Sequence, residues 1–290
     1  MEIHSVQDYI TLLERLKELY TYDEPIAGNP TFGKQIHIPD FIYRGHGRKN
    51  YKLLPGVLRT KSLSAGTWVT EYAQVEYNIL NDFIAETCRF VQNIPENDIS
   101  AWLEIAQHFG APTRLLDFTE NPLVALYFAC CEANEEDACV WLVNKPEYFR
   151  RMHNIPTVVL ESGSQAVVYN IINTQIVGQY TATASNGCAQ YPWIYKPHYR
   201  EERMNTQASV FMLWGWDNRS LIEMIPPDDI MKDEKVDNRE CGLIACIDIQ
   251  ARYKKTILGQ LSLCGISEKY IYPGIDGAGK YIKGKYSHHE

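Results

Sequence analysis

The stretch Ala106–Ala129, A-Q-H-F-G-A-P-T-R-L-L-D-F-T-E-N-P-L-V-A-L-Y-F-A, constrains this chain more than any other. It carries the signals of a helix end, a short strand and a new helix start, with a polar side chain at each junction. Asp98 is a good N-cap for a helix whose apolar residues fall at Ile99, Trp102, Leu103 and Ala106, the i, i+3, i+4, i+7 pattern. Gly110 suits the left-handed residue that closes such a helix, and Pro112 prevents it from restarting. Thr113–Phe118 is long enough for one strand. Asn121 before Pro122 reads as N-cap and first residue of a second helix. That helix, Leu123 to Cys130, is apolar all round, which predicts burial on every side.

Gln107, His108, Arg114, Asp117 and Thr119 interrupt segments that must be core. A buried charge without a partner is costly, so Arg114 and Asp117 are expected to pair, to face a cleft, or both. If they pair, they pin strand to helix. If they face a cleft, the N–H groups and positive dipole end of the second helix suit an anion.

A second junction lies at Tyr43-Arg44-Gly45-His46-Gly47, at the end of a strand expected over Ile36–Arg44. Glycines permit close approach of a ligand or simply make a turn. The planar guanidinium of Arg44 suits carboxylate or phosphate, and it equally suits an ion pair with Asp117. A third lies in Tyr191–Met212. There Thr206–Phe211 has strand character, Gln207 is the polar side chain to be presented from it, and Trp193, Tyr195 and Tyr199 are candidate pocket walls.

The remaining elements follow from periodicity. Ser5–Leu19 reads as a capped amphipathic helix, Tyr20–Gln35 as a surface loop, and Trp68–Thr87 as a long helix with Val75, Glu76, Ile79, Leu80 and Phe83 on one face. Ala138–Val143 and Leu243–Asp248 read as strands, with a helix at Ala251–Leu263 closed by Gly265. A helix is expected near Ser164–Val177, a turn-rich closure at Tyr270–Gly279, and a tail after it.

The chain has 290 residues and a net charge of −8, so the global basic footprint of a nucleic-acid binder is missing. A local basic run remains at Arg44, Arg48, Lys49, Lys52 and Arg59. The eight cysteines contain no C-x-x-C pair, and no zinc site is expected. The first residues do not read as a signal peptide and no apolar run approaches a membrane span, so a cytoplasmic protein with reduced thiols and no membrane partner is expected.

These blocks resemble the FRG-domain family of bacterial and phage proteins, named for a Phe/Tyr-Arg-Gly motif that Tyr43-Arg44-Gly45 matches. Gln107 through Pro122 is similar to the family's most recognisable segment. Arg203 with Gln207 and Phe211, and Tyr272-Pro273 with Asp276-Gly277, are similar to its later blocks. The resemblance covers roughly residues 36–280. It implies an N-terminal helix and loop over 1–35, one compact domain over 36–280 and a tail over 281–290.

The layout is also similar, more weakly, to ADP-ribosyltransferases. That similarity implies an α+β fold with a mixed, largely antiparallel sheet of ADP-ribosyltransferase-like type and an N-terminal helical portion, and NAD as cofactor. Arg44 would hold phosphate or ribose, Thr119 would take the Ser/Thr position, and Gln207 would stand where those enzymes carry a Glu. Gln lacks the charge that stabilises a developing cation, so the expected roles divide. Arg44, Thr119 and Gln207 are the catalytic candidates. Tyr43, Gly45, His46, Gln107, His108, Arg114, Asp117 and Arg203 are the ligand-binding candidates. The expected ligand is an anionic small molecule, such as a nucleotide, or a nucleic acid.

Overall fold

The computed structural model describes residues 1–25, 34–59, 69–91, 94–95, 98–132, 135–154, 191–197, 202–215, 217–233 and 242–286. The helix expected near Ser164–Val177 lies outside them, as does Tyr199.

The fold is α+β. A seven-stranded sheet has the order β1-β9-β6-β4-β5-β8-β7. Its strands are β1 (Glu2–Ile3), β4 (Phe41–His46), β5 (Leu115–Thr119), β6 (Ala138–Asn144), β7 (Trp193–Tyr195), β8 (Ser209–Leu213) and β9 (Ile244–Ile249). Among the described strand pairs of this sheet, β1–β9 is parallel and the other neighbours run antiparallel. A separate hairpin joins β2 (Tyr22–Pro25) to β3 (Lys34–His37).

This hairpin corrects the expectation of a loop over 20–35. The strand expected over Ile36–Arg44 is two strands in two sheets. Pro39 falls in the break between them and has no N–H for a ladder bond.

Helices cover both faces of the sheet. On one face, α1 (Val6–Leu19), α4 (Pro122–Cys130) and α8 (Ala251–Leu263) share a core containing Tyr9, Leu16, Phe41, Tyr43, Leu126, Val140, Ile247, Ile257 and Leu261. On the other, Ile42, Leu115, Phe118, Val143, Phe211 and Met212 pack with Leu103 of α3 (Ile99–His108) and with Tyr148 and Phe149 of α5 (Lys145–Met152). A smaller cluster joins Leu80 of α2 (Val69–Thr87) to Trp102 and Ala106 of α3. Among the described residues no helix is long and apolar enough to cross a membrane.

Local signals explain the boundaries. Asp98 accepts the Ala101 N–H at 3.1 Å and starts α3. Gly110, at φ +85°, ends it: its N–H donates to Gln107 O at 3.1 Å and the Ala111 N–H to Ala106 O at 2.9 Å, the paired bonds of a Schellman motif. Asn121 accepts the N–H groups of Leu123 and Val124 at the start of α4. The all-apolar helix is buried as expected, with Val124, Ala125, Leu126, Ala129 and Cys130 inaccessible.

Two expectations near the C-terminus are corrected. The turn-rich closure is helical, with α9 (Glu268–Ile271) and α10 (Ile275–Tyr286). The strand expected over Thr206–Phe211 begins later. The short helix α6 (Glu202–Thr206) runs up to it, and Ala208 at φ +46° makes the turn into β8. Among the described residues, 221–224 form a further short helix, α7.

Candidate functional site

The cleft arises where two strands part. β4 and β5 are in register at Tyr43↔Thr119 alone, whereas β4 stays paired to β6 from Phe41↔Asn144 to His46↔Cys139. Beyond Tyr43 the Arg44 side chain bridges the gap. Its Nη1 donates to the Asp117 backbone carbonyl and its Nε donates to His46 Nε2 at 3.1 Å. The carboxylate of Asp117 stands farther off, with Oδ2 3.9 Å from the same Nη1.

The opening is a cavity of about 320 Å³. It gathers ten of the eleven candidates: Tyr43, Arg44, Gly45, His46, Gln107, His108, Asp117, Thr119, Arg203 and Gln207. They come from β4, the end of α3, β5, α6 and the turn before β8, so segments more than 160 positions apart share one wall.

Arg114 is the exception and a correction. It is neither in the cleft nor paired with Asp117. Its side chain is 1% exposed and its Nε donates to Glu76 Oε2, while the other Glu76 oxygen accepts the Arg114 backbone N–H at 2.7 Å. In a strand, successive side chains point to opposite faces, so Arg114 and Asp117, three residues apart, face opposite ways. Glu76 belongs to the α2 stripe, where a single acid among apolar residues was the available signal.

Several candidates have structural bonds that define them. A chain of hydrogen bonds sets Asp117. The Leu115 N–H donates to Thr113 Oγ1 at 3.1 Å, that hydroxyl donates to Gln107 Oε1 at 2.6 Å, and Gln107 Nε2 donates to Asp117 Oδ2 at 2.6 Å. The Thr119 hydroxyl donates to Gln207 O and accepts the Asn121 N–H at 2.9 Å. Gln207 lies in the turn before β8 and not on the strand, and its Nε2 donates to Ile271 O at 3.0 Å.

Gly45 makes room for a helix. A Cβ there would sit 2.0 Å from Ala125 O and 2.6 Å from Ala129 N, so only glycine lets β4 approach α4 this closely. The N-terminus of α4 is closed by Asn121, and the cavity meets the side of that helix at Val124, Ala125 and Phe128. That replaces the expected anion site at the helix end. Trp193 and Tyr195, expected as pocket walls, are buried in the core.

The electrostatics are local. Arg44, Lys52, Arg59 and Arg203 line the cavity, against the carboxylates of Asp117 and Glu132. Lys52 and Arg59 were legible only as part of a basic run, whose other members turn outward: Arg48 pairs with Glu136 and Lys49 with Asp248. Arg203 lies over the Tyr272 ring at 4.7 Å. Burial lowers the Arg44 pKa, partly offset by Asp117, yet an arginine stays charged. His46, 3% exposed, is pushed down to about 3 by burial and then by the Arg44 charge, with Tyr51 backbone bonding opposing. It is therefore neutral near pH 7, with Nε2 accepting from Arg44 and the proton on Nδ1.

No curated protein and no solved structure matches the chain. A family model described as FRG domain matches residues 39–138. That match takes in β4, α2, α3, β5 and α4, and it leaves Arg203 and Gln207 outside. The part of the cleft built from Tyr43 to Glu132 lies within the residues that are similar to the FRG domain.

Proposed function

We propose that the cleft between β4 and β5 binds a nucleotide-like anion, free or at the end of a single-stranded nucleic acid. One observation carries this reading. Four cationic side chains against two carboxylates line a cavity in a chain whose net charge is −8. Random placement of this composition would make the cavity acidic. Clefts lined by one sign concentrate counter-ions of the other. The volume, about 320 Å³, lies at the small end of ligand sites and suits a mononucleotide. Tyr51 and Phe128 supply apolar wall for a base.

Arg44 would hold the anion. Its guanidinium side chain is 21% exposed and already fixed by Asp117 O and His46, so little ordering cost remains. The test is calorimetric titration with nucleoside monophosphates, NAD, ADP-ribose and short single-stranded oligonucleotides, repeated with Arg44→Ala. Salt-dependent binding that Arg44→Ala weakens about tenfold or more supports the reading. Indifference to every one of these ligands removes it.

A second reading is an NAD-dependent ADP-ribosyltransferase or NAD glycohydrolase, of use in phage defence or as a toxin. It is favoured by Arg44 and Thr119 meeting at one cavity from adjacent strands. The residues suit the phosphates of NAD. They do not suit glycosyl transfer in the manner of that resemblance, because Gln207 is an amide bonded to Ile271 O and the Thr119 hydroxyl is doubly bonded. Nicotinamide release from NAD, lost in Arg44→Ala, would establish turnover; its absence alongside NAD binding leaves a binding module.

A further inference from the structure

We infer that Asp117 makes the cleft selective for ligands bearing a sugar diol, so that a ribonucleotide is preferred to its dideoxy counterpart. The inference rests on the reading of the cleft as a nucleotide site and adds a specificity to it.

A cleft that served only to hold phosphate would gain nothing from a carboxylate on its wall. The Asp117 side chain is 54% exposed and lines the cavity beside Arg44. Its charge is not neutralised at close range, because Arg44 gives its short hydrogen bonds to the Asp117 backbone and to His46, leaving the carboxylate at 3.9 Å. A phosphate placed nearby is repelled. The group is nevertheless held in place. Leu115 N–H orients the Thr113 hydroxyl, which orients the Gln107 amide, which binds Oδ2 at 2.6 Å. Among the described residues nothing bonds Oδ1.

An ionised carboxylate is acceptor-only. A fixed acceptor with one oxygen that no described residue bonds, in a cavity lined by four cations, calls for a ligand that carries donors beside its negative charge. Adjacent hydroxyl groups meet that need. One bonds Oδ1 and the other the remaining lone pair of Oδ2. A ribose 5′-phosphate unit has both features within one small molecule: the diol for Asp117 and the phosphate for the guanidinium groups of Arg44 and Arg59.

The experiment is titration of the full chain with AMP, GMP, CMP and UMP and with the 2′,3′-dideoxy form of each, in wild type, Asp117→Ala and Asp117→Asn. For the wild type a ribonucleotide is expected to bind about tenfold or more tighter than its dideoxy form, the value of a hydrogen bond to a charged group at a half-exposed site. In Asp117→Ala the ratio should fall to within about threefold. The dideoxy form should then bind more tightly than it does to wild type, because the repulsion is gone. That crossing of the two ligand series separates recognition from a structural effect, which would weaken both. Asp117→Asn, which keeps the shape and loses the charge, should also tighten the dideoxy form. Equal wild-type affinity for both series overturns the inference and leaves the cleft reading standing. Failure of every nucleotide to bind overturns both.

Discussion

Replacing Glu76 by Ala isolates the most consequential polar contact outside the cleft. Glu76 and Arg114 are each 1% exposed, and the carboxylate serves both the guanidinium Nε and the Arg114 backbone N–H. Removing it leaves a buried charge and a buried N–H without that partner. Loss of one member of a buried pair costs about 3–5 kcal/mol, and the orphaned N–H overlaps with that figure, so roughly 4 kcal/mol is expected. At roughly 2 °C per kcal/mol for a chain of this size, the midpoint should fall by about 8 °C. Urea denaturation followed by tryptophan fluorescence, beside a thermal melt, measures both. Arg114→Ala should be destabilised by a similar amount, while the folded fraction keeps its nucleotide affinity. The double variant Glu76→Leu with Arg114→Met should recover most of the loss, to within about 1.5 kcal/mol of wild type, because two apolar side chains need no pairing and what remains is the backbone N–H of residue 114 without Glu76. A Glu76→Ala loss below about 1 kcal/mol, or an Arg114→Ala protein that is stable but no longer binds nucleotide, refutes the assignment of Arg114 to the scaffold.

Three further expectations concern stability. His46 is held at about 3 when folded and returns to about 6.5 when unfolded, so the unfolded chain takes up its proton first. Its contribution is complete above pH 6.5 and is lost as pH falls toward 3; His46→Gln should flatten the stability slope between pH 6 and 4 by about 1.4 kcal/mol per pH unit, read from urea midpoints at each pH. Gly45→Ala drives a methyl into the α4 backbone at Ala125 and Ala129, and an overpacking loss of about 2 kcal/mol or more is expected by the same assay; a neutral outcome would mean that β4 and α4 can separate freely. Lys254, 1% exposed on α8, donates to Gly47 O at 2.9 Å, Glu132 O at 2.6 Å and Glu136 O at 3.2 Å. Lys254→Met should cost about 3 kcal/mol through the carbonyls left behind, and, since Gly47 and Glu132 line the cleft, nucleotide affinity should fall with it.

What the sequence determined by itself was local. Asp98, Gly110, Asn121 and Pro122 set helix ends because caps and left-handed residues act within a few positions of the chain. The apolar run after Pro122 determined a buried helix for the same reason: no surface face was available to it. The polar residues around that run also marked the cleft, since polar groups beside core segments must have a use.

Their partners were decided only by tertiary structure. Whether Arg114 met Asp117 or Glu76 depended on how β5 faced α2, and the 38 positions between Glu76 and Arg114 carry no spacing rule. The glycine of Tyr43-Arg44-Gly45 read equally as turn or ligand approach, and only the tertiary structure, with α4 lying against it, gave it a packing role. The split of β4 from β5, which makes the cavity, is a property of a sheet and of no single strand. Pairing energies between distant segments depend on register and orientation, and a linear pattern encodes neither.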